Sequence, residues 1–479
     1  MSENIGKSEL SGSSQKWYEG ITRYQWLVLL IASLGWVFDI FEGQIFVASM
    51  REAMPSLLPE GTDEGAVAWY NNIALASFLL GGAFGGVLFG ILSDRIGRTK
   101  TMIWTILMYS CFTCVTAFAE TWWQMAGLRF LVAMGVGGEW AVASAMVAEV
   151  FPNRARAWSG AIFHGSSVLG TYLAIFAGAY VVGNPDFGWR WGFALGALPA
   201  LLTLWIRWKL KEPDCWVEAR EKAAKDPSQK TGRLGELFSA ALIRNTLVGV
   251  VLAAVGLATF WGVHIYGKDF VRRAEVRDVL QLESVSLTAP AAPEGASEEA
   301  KAAVQKAYTD KKAAALKKHA PAIKSAEMLG MFLVTTGGGI GLLAFGLLCE
   351  WLGRRGAFLF YHVGGLVSAM LLFQVFPAED SRAVYYVVLP LFGFLTLGMH
   401  AGYAIYFPEL YPTRLRGTGG GFCFNVARFI TVPMILLKGF LQKEGYTPDQ
   451  AGTLLSWLFL IGVVVLFFAP ETKGKDLPE

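Results

Sequence analysis

The sequence predicts an all-α integral membrane protein with twelve transmembrane helices in two related six-helix halves. Two observations predict this fold class: the composition, and a repeat that divides the chain in two. Of the 479 residues, 54% are hydrophobic and 16% are charged, which is too apolar for an ordinary soluble protein. Twelve apolar runs are each close to the roughly 20 residues that cross a hydrocarbon core. They cover 25–49, 68–92, 100–120, 123–147, 158–182, 190–208, 244–266, 327–352, 357–377, 383–407, 418–441 and 449–469.

The repeat consists of two loop motifs that each occur once in either half. The first joins the second and third runs as "GILSDRIGR" and the eighth and ninth as "GLLCEWLGR", 256 residues later. The second follows the fourth run as "AEVFPNRAR" and the tenth as "PELYPTRLR", 260 residues later. Two pairs at nearly one offset indicate a duplicated chain. The expected parts are a tail at 1–24, a six-helix bundle at 25–208, a linker at 209–243, a second bundle at 244–470 and a tail at 471–479.

The charges of these loops predict a gate. In each first motif an acid ends a helix, a glycine makes a tight turn and arginines follow. Such an acid can pair with the arginines or face the positive N-terminal end of a neighbouring helix. Contacts of this kind can form in one arrangement of the halves and break in another, although charges that only set topology would look the same. The predicted gate residues are Gly90, Asp94, Arg95, Gly97, Arg98, Glu149, Arg154, Arg156, Glu350, Gly353, Arg354, Glu409, Arg414 and Arg416.

Lysine and arginine are unequally divided between alternate loops, which predicts the orientation in the membrane. With the N-terminus inside, the cytoplasmic segments hold 23 of these residues and the opposite side holds 5, one long loop aside. Because cytoplasmic loops are normally the richer in basic residues, both termini are expected in the cytoplasm, with the protein in a bacterial inner membrane. The net charge of +3 is too small to indicate nucleic-acid binding. The expected partners are the lipid bilayer, a small-molecule solute and protons.

Charged residues in the middle of predicted spans must face each other, a cavity or an exchangeable proton. Asp39 and Glu42 are one helical turn apart and share a face. Burial and a neighbouring acid favour the neutral form of a carboxyl. Asp39 is therefore predicted to couple proton movement, with Glu42 sharing the proton and Arg129 adjusting it. Glu139 is either a second proton site or a ligand contact, and a purely structural ion pair is the alternative for the first three.

Arg428, near the midpoint of the eleventh span, is predicted to bind the solute. A guanidinium offers a planar two-point grip for a carboxylate, although it could instead pair with one of the buried acids. Asn425, three residues away, could add a hydrogen bond. His400, Trp36 and Trp140 are further candidates for the same site, set against the commoner packing role of buried histidines and aromatic rings.

Several motifs resemble one family. "GILSDRIGR" resembles the signature loop of the major facilitator superfamily, and the resemblance extends over all twelve spans. "GLRFLVAMGVGGEW" and "PETKGKDL" are similar to the fourth and twelfth helices of its sugar-porter branch. "DIFE" at 39–42 resembles the paired-acid motif of the aromatic-acid, sialate and lactate proton symporters, with Ile40 in place of a glycine and Glu42 in place of an aspartate. "GGFCFNVAR" at 420–428 is similar to the eleventh helix of the same symporters.

This resemblance implies two six-helix bundles around a central cavity that opens alternately to either side, in an organic-anion branch. The sugar-porter branch places a first-helix acid opposite a fourth-helix arginine, which implies that Asp39 faces Arg129. One segment, 268–326, is not part of the family pattern. It is expected to begin as a Pro/Ala/Ser linker and to continue as an exposed helix from Ser297 to about His319. A spacer or lid is its expected role, and a partner-binding or substrate-capturing helix is the alternative.

These features together predict a proton-coupled symporter of a small organic anion, acting as a monomer by alternating access. A sugar or polyol porter, or a facilitator, is the alternative within transport, favoured by the sugar-porter motifs. A non-transporting sensor with a transporter fold is the alternative of another class, favoured by the insertion. Since the sequence contains no nucleotide-binding glycine loop, no nucleophile with a base and no metal-ligand cluster, neither an enzyme nor a cofactor is predicted.

Overall fold

The computed structural model describes residues 16–478 apart from 183–186, 200, 202–204, 207–208, 227–228, 292–296, 377–381 and 444–445, and every regular element in these residues is helical. The first half and the linker contain α1 (Arg23–Ser56), α2 (Glu64–Ile96), α3 (Arg98–Thr116), α4 (Trp122–Val150), α5 (Asn153–Gly165), α6 (Ser167–Ala177), α7 (Gly188–Ala194) and α8 (Asp214–Lys225). The second half contains α9 (Ile243–Gly262), α10 (Asp269–Leu282), α11 (Glu298–Lys318), α12 (Ala320–Gln374), α13 (Arg382–Leu397), α14 (His400–Leu410), α15 (Arg416–Lys443), α16 (Pro448–Ser456) and α17 (Leu458–Leu466).

Eight helical runs in the described residues are long and apolar enough to cross a membrane. One of them, Ala320–Gln374, contains the eighth predicted span and most of the ninth, 357–377. The sixth predicted span, 190–208, lies partly outside the described residues. The third and eleventh spans form α3 and α15.

Three helices begin with the same local signal, a threonine followed three residues later by glutamine. In each, the threonine side chain accepts from the glutamine backbone N–H, and the glutamine side chain accepts from the threonine N–H. This reciprocal cap satisfies amides that have no partner within the helix. The start of each helix is therefore determined locally. The pairs are Thr22–Gln25, Thr121–Gln124 and Thr447–Gln450.

Glycines let α2 lie in close contact with α4 on one side and α15 on the other. A Cβ on Gly81 or Gly85 would lie 2.0 Å from a backbone oxygen of α4. A Cβ on Gly82 or Gly86 would come within 2.0 Å of a side chain of α15. Residues four apart stack on one face of a helix, so these two glycine pairs make two adjacent smooth faces. α2 thereby connects the halves, since α4 belongs to the first and α15 to the second.

The two predicted glycine turns have the backbone conformation that requires glycine. Gly97 separates α2 from α3 with φ of 118°, and Gly353 interrupts α12 with φ of 78°. Beyond each turn a glutamate caps the next helix. Glu212 accepts from the Arg98 N–H at 2.6 Å, and Glu471 accepts from the Arg354 N–H at 3.0 Å. These capping glutamates lie 259 residues apart and form a third repeated pair that the sequence analysis missed.

Gly353→Ala is expected to destabilise the protein by more than backbone strain alone. The backbone conformation of Gly353, with φ of 78° and ψ of 175°, costs a residue with a side chain about 1–3 kcal/mol, and the new Cβ would also lie 2.7 Å from Glu471 Oε2. The measurement is the thermal unfolding midpoint of the purified protein. Gly188→Ala is the matched control, because Gly188 has φ of 70° and no heavy atom of the described residues lies within 4 Å of its would-be Cβ. Equal losses in the two variants would contradict the packing contribution.

The insertion is helical at both ends of its length. Ser297 caps α11, accepting from the Ala300 N–H at 3.2 Å, which confirms the predicted helix start. The expectation of a linker before it was wrong for 269–282, which form α10, because apolar residues there are buried against the second half. Residues 292–296 of the predicted linker lie outside the described part. The shared core of α10 and α11 includes Leu280, Val285 and Ala315.

We call the end of the bundle with α10 and α11 the insertion end, and the end with the glycine turns the motif end.

Candidate functional site

A cavity of about 130 Å³ lies between the two halves, lined by helices of both. A larger cavity of about 510 Å³ lies on its insertion-end side. The two share lining residues, among them Gln44, Thr171 and Trp261, so the smaller, deep cavity adjoins the larger cavity of the insertion end. The chemically active side chains of the deep cavity are Trp36, Asp39, His164, His400 and Arg428, beside the rings of Phe260, Trp261 and Phe424.

Asp39 and Arg428 bring opposite charges to this cavity from opposite halves. Asp39 is 1% exposed and Arg428 is 6% exposed. In the described part of the chain, both carboxylate oxygens of Asp39, and Nε and Nη1 of Arg428, lack a hydrogen bond within the usual distance and angle limits, and the buried Tyr109 hydroxyl lies beside Asp39. The guanidinium lies against Gly82, whose would-be Cβ would come 1.4 Å from Nη1, and 5.8 Å from the Phe424 ring. Two buried, unsatisfied charged groups in one cavity make a site that a ligand can complete.

Glu42 and Arg129 are arranged differently from the expected acid–arginine pair. Arg129 Nη2 donates to the backbone carbonyl of Glu42 at 2.6 Å instead of to its carboxylate. Its guanidinium lies 4.9–5.6 Å from the rings of Phe46, Phe78 and Phe193. The Glu42 carboxylate points toward Gly196, 2.7 Å from that residue's would-be Cβ, and does not line the deep cavity. Residues three apart on a helix are about 60° apart in direction, which is enough to send the two acids of α1 to different neighbours.

Glu139 is buried inside the first half. Its Oε2 accepts from Thr105 Oγ1 at 2.6 Å. Its Oε1 has no hydrogen-bond partner among the described residues and lies near Gly35, 2.8 Å from the would-be Cβ. Thr105 belongs to a stripe of buried polar residues on α3 that the sequence analysis missed. The signal was present as a polar residue at every fourth position: Thr101, Thr105, Tyr109 and Thr113.

The two tryptophans have different roles. Trp36 lines the cavity, and within the described ranges its Nε1 has no hydrogen-bond partner. Trp140 does not line it, but stacks on Phe424 at 4.0 Å between centroids and donates from Nε1 to His164 Nδ1 at 3.2 Å. His164, which the sequence did not single out, therefore joins His400 in the cavity. Trp140 thus packs behind the cavity lining and contacts two of its side chains, Phe424 and His164.

Asn425 is used in packing. Its amide donates to the backbone oxygens of Gly421 at 3.0 Å and Gly137 at 3.4 Å. A Cβ on Gly86 would lie 2.0 Å from it. The structure thus places Asn425 between α2, α4 and α15, outside the lining of the deep cavity.

The motif end joins the halves through a buried network. Asp94 accepts from the Thr418 N–H at 2.7 Å and from the Gly417 N–H at 3.1 Å, so a carboxylate of the first half caps α15 of the second. Arg98 binds Asp94 at 2.5 Å and Glu149 at 2.7 Å. Glu149 also binds Arg416 across the interface, at 3.0 Å.

The equivalent loop of the second half makes fewer contacts between halves. Arg354 binds Glu409 of its own half at 2.7 Å, and Arg156 of the first half lies 4.0 Å from the same carboxylate. Glu350, the counterpart of Asp94, lines a surface cleft that also contains Arg154. The duplicated loops are therefore unequal, with Asp94 and Glu149 making the principal connections.

The remaining motif arginines hold the tail and the linker. Arg95 Nη2 donates to the Gly232 carbonyl at 3.3 Å, and Arg154 donates to the Glu19 carbonyl. Arg414 forms a two-point ion pair with Glu236 of the linker. Its hydrogen bonds and positive charge hold the pKa of the Glu236 carboxyl below its usual range. The linker is thus tied to loops of both halves.

Comparison with known proteins gives the following matches. The sequence model of the Major Facilitator Superfamily matches residues 27–284. The probable 4-methylmuconolactone transporter of Cupriavidus pinatubonensis is 24% identical, over 96% of this chain and 93% of that protein. The niacin transporter of Acinetobacter baylyi is 25% identical, over 95% and 96%. The solved proton:xylose symporter XylE, with a bound bromodeoxyglucose, has a TM-score of 0.69 at 16% identity, over 95% of this chain and 98% of that one. These matches confirm the predicted fold class.

Proposed function

The chain belongs to the major facilitator superfamily of membrane transporters, and on that premise we propose that it is a proton-coupled symporter of small organic carboxylates. It is a transporter and not an enzyme, as its family and relatives show. The observation that carries the proposal is that Asp39 and Arg428, from different halves, line one cavity, and that buried polar atoms of both lack a hydrogen-bond partner in the described part of the chain.

Charge balance links the solute to the proton. With Asp39 ionised and Arg428 charged, the empty cavity has no net charge. A carboxylate on Arg428 would add a negative charge that the low-dielectric interior disfavours. A proton bound to Asp39 cancels this added negative charge. The anion and the proton therefore bind together more favourably than either alone, which couples them one to one.

The relatives support a carboxylate over a neutral sugar. The two reported above are named as transporters of niacin and of 4-methylmuconolactone, both small organic acids. The likeness to the xylose symporter concerns the fold alone. The aromatic wall of the cavity, including Phe260 and Phe424, suits an apolar body behind the carboxylate.

The sidedness of transport follows from the basic loops. We place the motif end in the cytoplasm of a bacterial inner membrane, with both termini, because the motif-end segments hold most of the lysine and arginine. The structure then corresponds to a state sealed at the cytoplasmic end by the Asp94 and Glu149 contacts, with the larger cavity on the outer side of the deep one. A single copy contains both halves of the site, so the monomer is the functional unit.

Arg428→Ala is expected to abolish carboxylate transport, and Arg428→Lys to reduce it strongly. Hydrogen bonds to charged groups contribute about 1.5–3 kcal/mol, or roughly 10- to 150-fold in affinity, and lysine lacks the two-point geometry. The measurement is counterflow of labelled carboxylates and sugars into vesicles, with proton uptake recorded on each addition. Arg190→Ala is the control, since Arg190 binds the carbonyls of Ala117 and Ala119 away from the cavity.

The outcomes separate the alternatives. Carboxylate exchange with proton uptake, lost in Arg428→Ala, supports the proposal. Exchange restricted to sugars or polyols, or exchange without proton movement, would replace it with the sugar-porter or facilitator function. No exchange of any solute would favour a sensor with a transporter fold.

A further inference from the structure

Two histidines from opposite halves meet at the deep cavity. His164 comes from the end of α5 and His400 from the start of α14, and both line the cavity. Their ring centroids are 6.4 Å apart, with the planes at 36°. Each is at most 5% exposed. The coupling of anion and proton by Asp39 and Arg428 uses neither of them.

Neighbouring groups determine which hydrogen-bonding role each ring has. Trp140 Nε1 donates to His164 Nδ1 at 3.2 Å, so in the neutral ring the proton of His164 is on Nε2, which is a donor. His400 Nε2 is buried without a hydrogen-bond partner in the described part of the chain, and in the tautomer that carries its proton on Nδ1 this nitrogen is an acceptor. The cavity wall therefore offers one ring donor and one ring acceptor from two different halves.

We propose that His164 and His400 together bind one hydroxyl group of the transported carboxylate. The hydroxyl oxygen accepts from His164 Nε2–H, and its hydrogen is donated to His400 Nε2. A centroid separation of 6.4 Å is compatible with one oxygen at about 2.8 Å from a nitrogen of each ring. This assignment rests on the proposed function and narrows its substrate to hydroxy acids: Arg428 binds the carboxylate, and the histidines bind the hydroxyl.

The same contact ties solute binding to the approach of the halves. α5 belongs to the first half and α14 to the second, so a single hydroxyl bridges them. An acid that lacks the hydroxyl leaves both ring nitrogens buried and unpaired when the site closes. Unpaired buried polar groups carry the full cost of their desolvation, so such an acid is selected against.

The test compares pairs of carboxylates, aromatic and aliphatic, that differ by one hydroxyl. The ratio of their inhibition constants is measured in counterflow with the full-length protein in vesicles. The native protein is expected to prefer the hydroxy acid by on the order of 10-fold. In His400→Phe and His164→Phe the preference for the hydroxy acid is expected to fall to about 1. His400→Gln, which restores an acceptor, recovers part of it, and Trp140→Phe, which frees His164 Nδ1, weakens it.

His362→Phe is the control, because His362 is buried in α12, bonds the Phe358 carbonyl through Nδ1 at 2.7 Å and does not line the cavity. It should keep the native ratio. A native protein with no preference for the hydroxyl, or an unchanged ratio in His400→Phe and His400→Gln, would overturn the inference while leaving carboxylate symport intact. Failure of the native protein to exchange any carboxylate would instead overturn the proposed function, and this inference with it.

Discussion

Asp39→Asn is expected to abolish uphill, proton-driven accumulation while leaving exchange of carboxylate across the membrane. Asparagine has nearly the shape of aspartate but takes up no proton. In the variant, Arg428 alone therefore balances the negative charge of the bound anion, and no proton is needed. Each coupled proton supplies about 1.4 kcal/mol per pH unit of gradient, a tenfold accumulation. In Asp39→Asn, the pH gradient should produce no accumulation of solute. The measurement is uptake into vesicles with and without a pH gradient, beside counterflow of the same solute.

Two further variants are needed to interpret this result, one as a control and one as a test of the second acid of α1. Glu52→Gln is the control, because Glu52 belongs to the same helix but lies outside the deep cavity, 3.8 Å from Lys324. It should accumulate solute normally. Glu42→Gln tests whether the second acid of α1 shares the proton although its carboxylate does not line the cavity. Accumulation that survives in Asp39→Asn would move the coupling proton to Glu42 or Glu139.

Glu149→Gln is expected to open the motif end and to slow transport. Glu149 binds the guanidinium groups of Arg98 and Arg416, and all three side chains are fully buried. Breaking a buried ion pair by neutralising one partner costs about 3–5 kcal/mol. Because Arg416 belongs to the other half, that cost falls on the arrangement in which the halves meet. The ratio of sealed to open molecules should drop by about 100-fold or more.

Hydrogen exchange at the first turn of α15 measures this opening. The amides of Gly417 and Thr418 are capped by Asp94 in the sealed arrangement, and they should exchange faster in Glu149→Gln. Glu409→Gln is the matched variant, since the main partner of Glu409, Arg354, lies in its own half at 2.7 Å. It should destabilise the second half with little effect on α15. Equal acceleration in both variants would show that the network stabilises folding and does not control a gate.

Local features of the sequence were sufficient for the fold and for part of the site. The two glycine turns follow from the duplicated motifs, and both have the positive φ that only glycine adopts readily. The start of α11 follows from Ser297 and the acids behind it. Asp39 and Arg428 stand out because a charge in an apolar run is costly wherever the helix lies. In each case the deciding physics acts over one helical turn, or over the length of one span.

The direction of each side chain was decided by tertiary packing. Asp39 and Glu42 are one turn apart in sequence, yet one faces the cavity and the other faces Gly196. Arg129 binds a backbone carbonyl among three phenylalanine rings. This arrangement does not follow from matching acids and arginines by their depth in the predicted spans.

The main residues of the proposed site depend on both the local sequence and the tertiary structure. The sequence by itself determined that this chain carries an acid and an arginine at mid-membrane, one in each half, because hydrophobic run length and repeats are properties of short segments. Only the tertiary structure decided that His164 joins His400 at the cavity, with Trp140 behind it and Asn425 packed away from it. Helices of both halves meet there along glycine faces, and the contacts between residues hundreds of positions apart depend on how those faces fit.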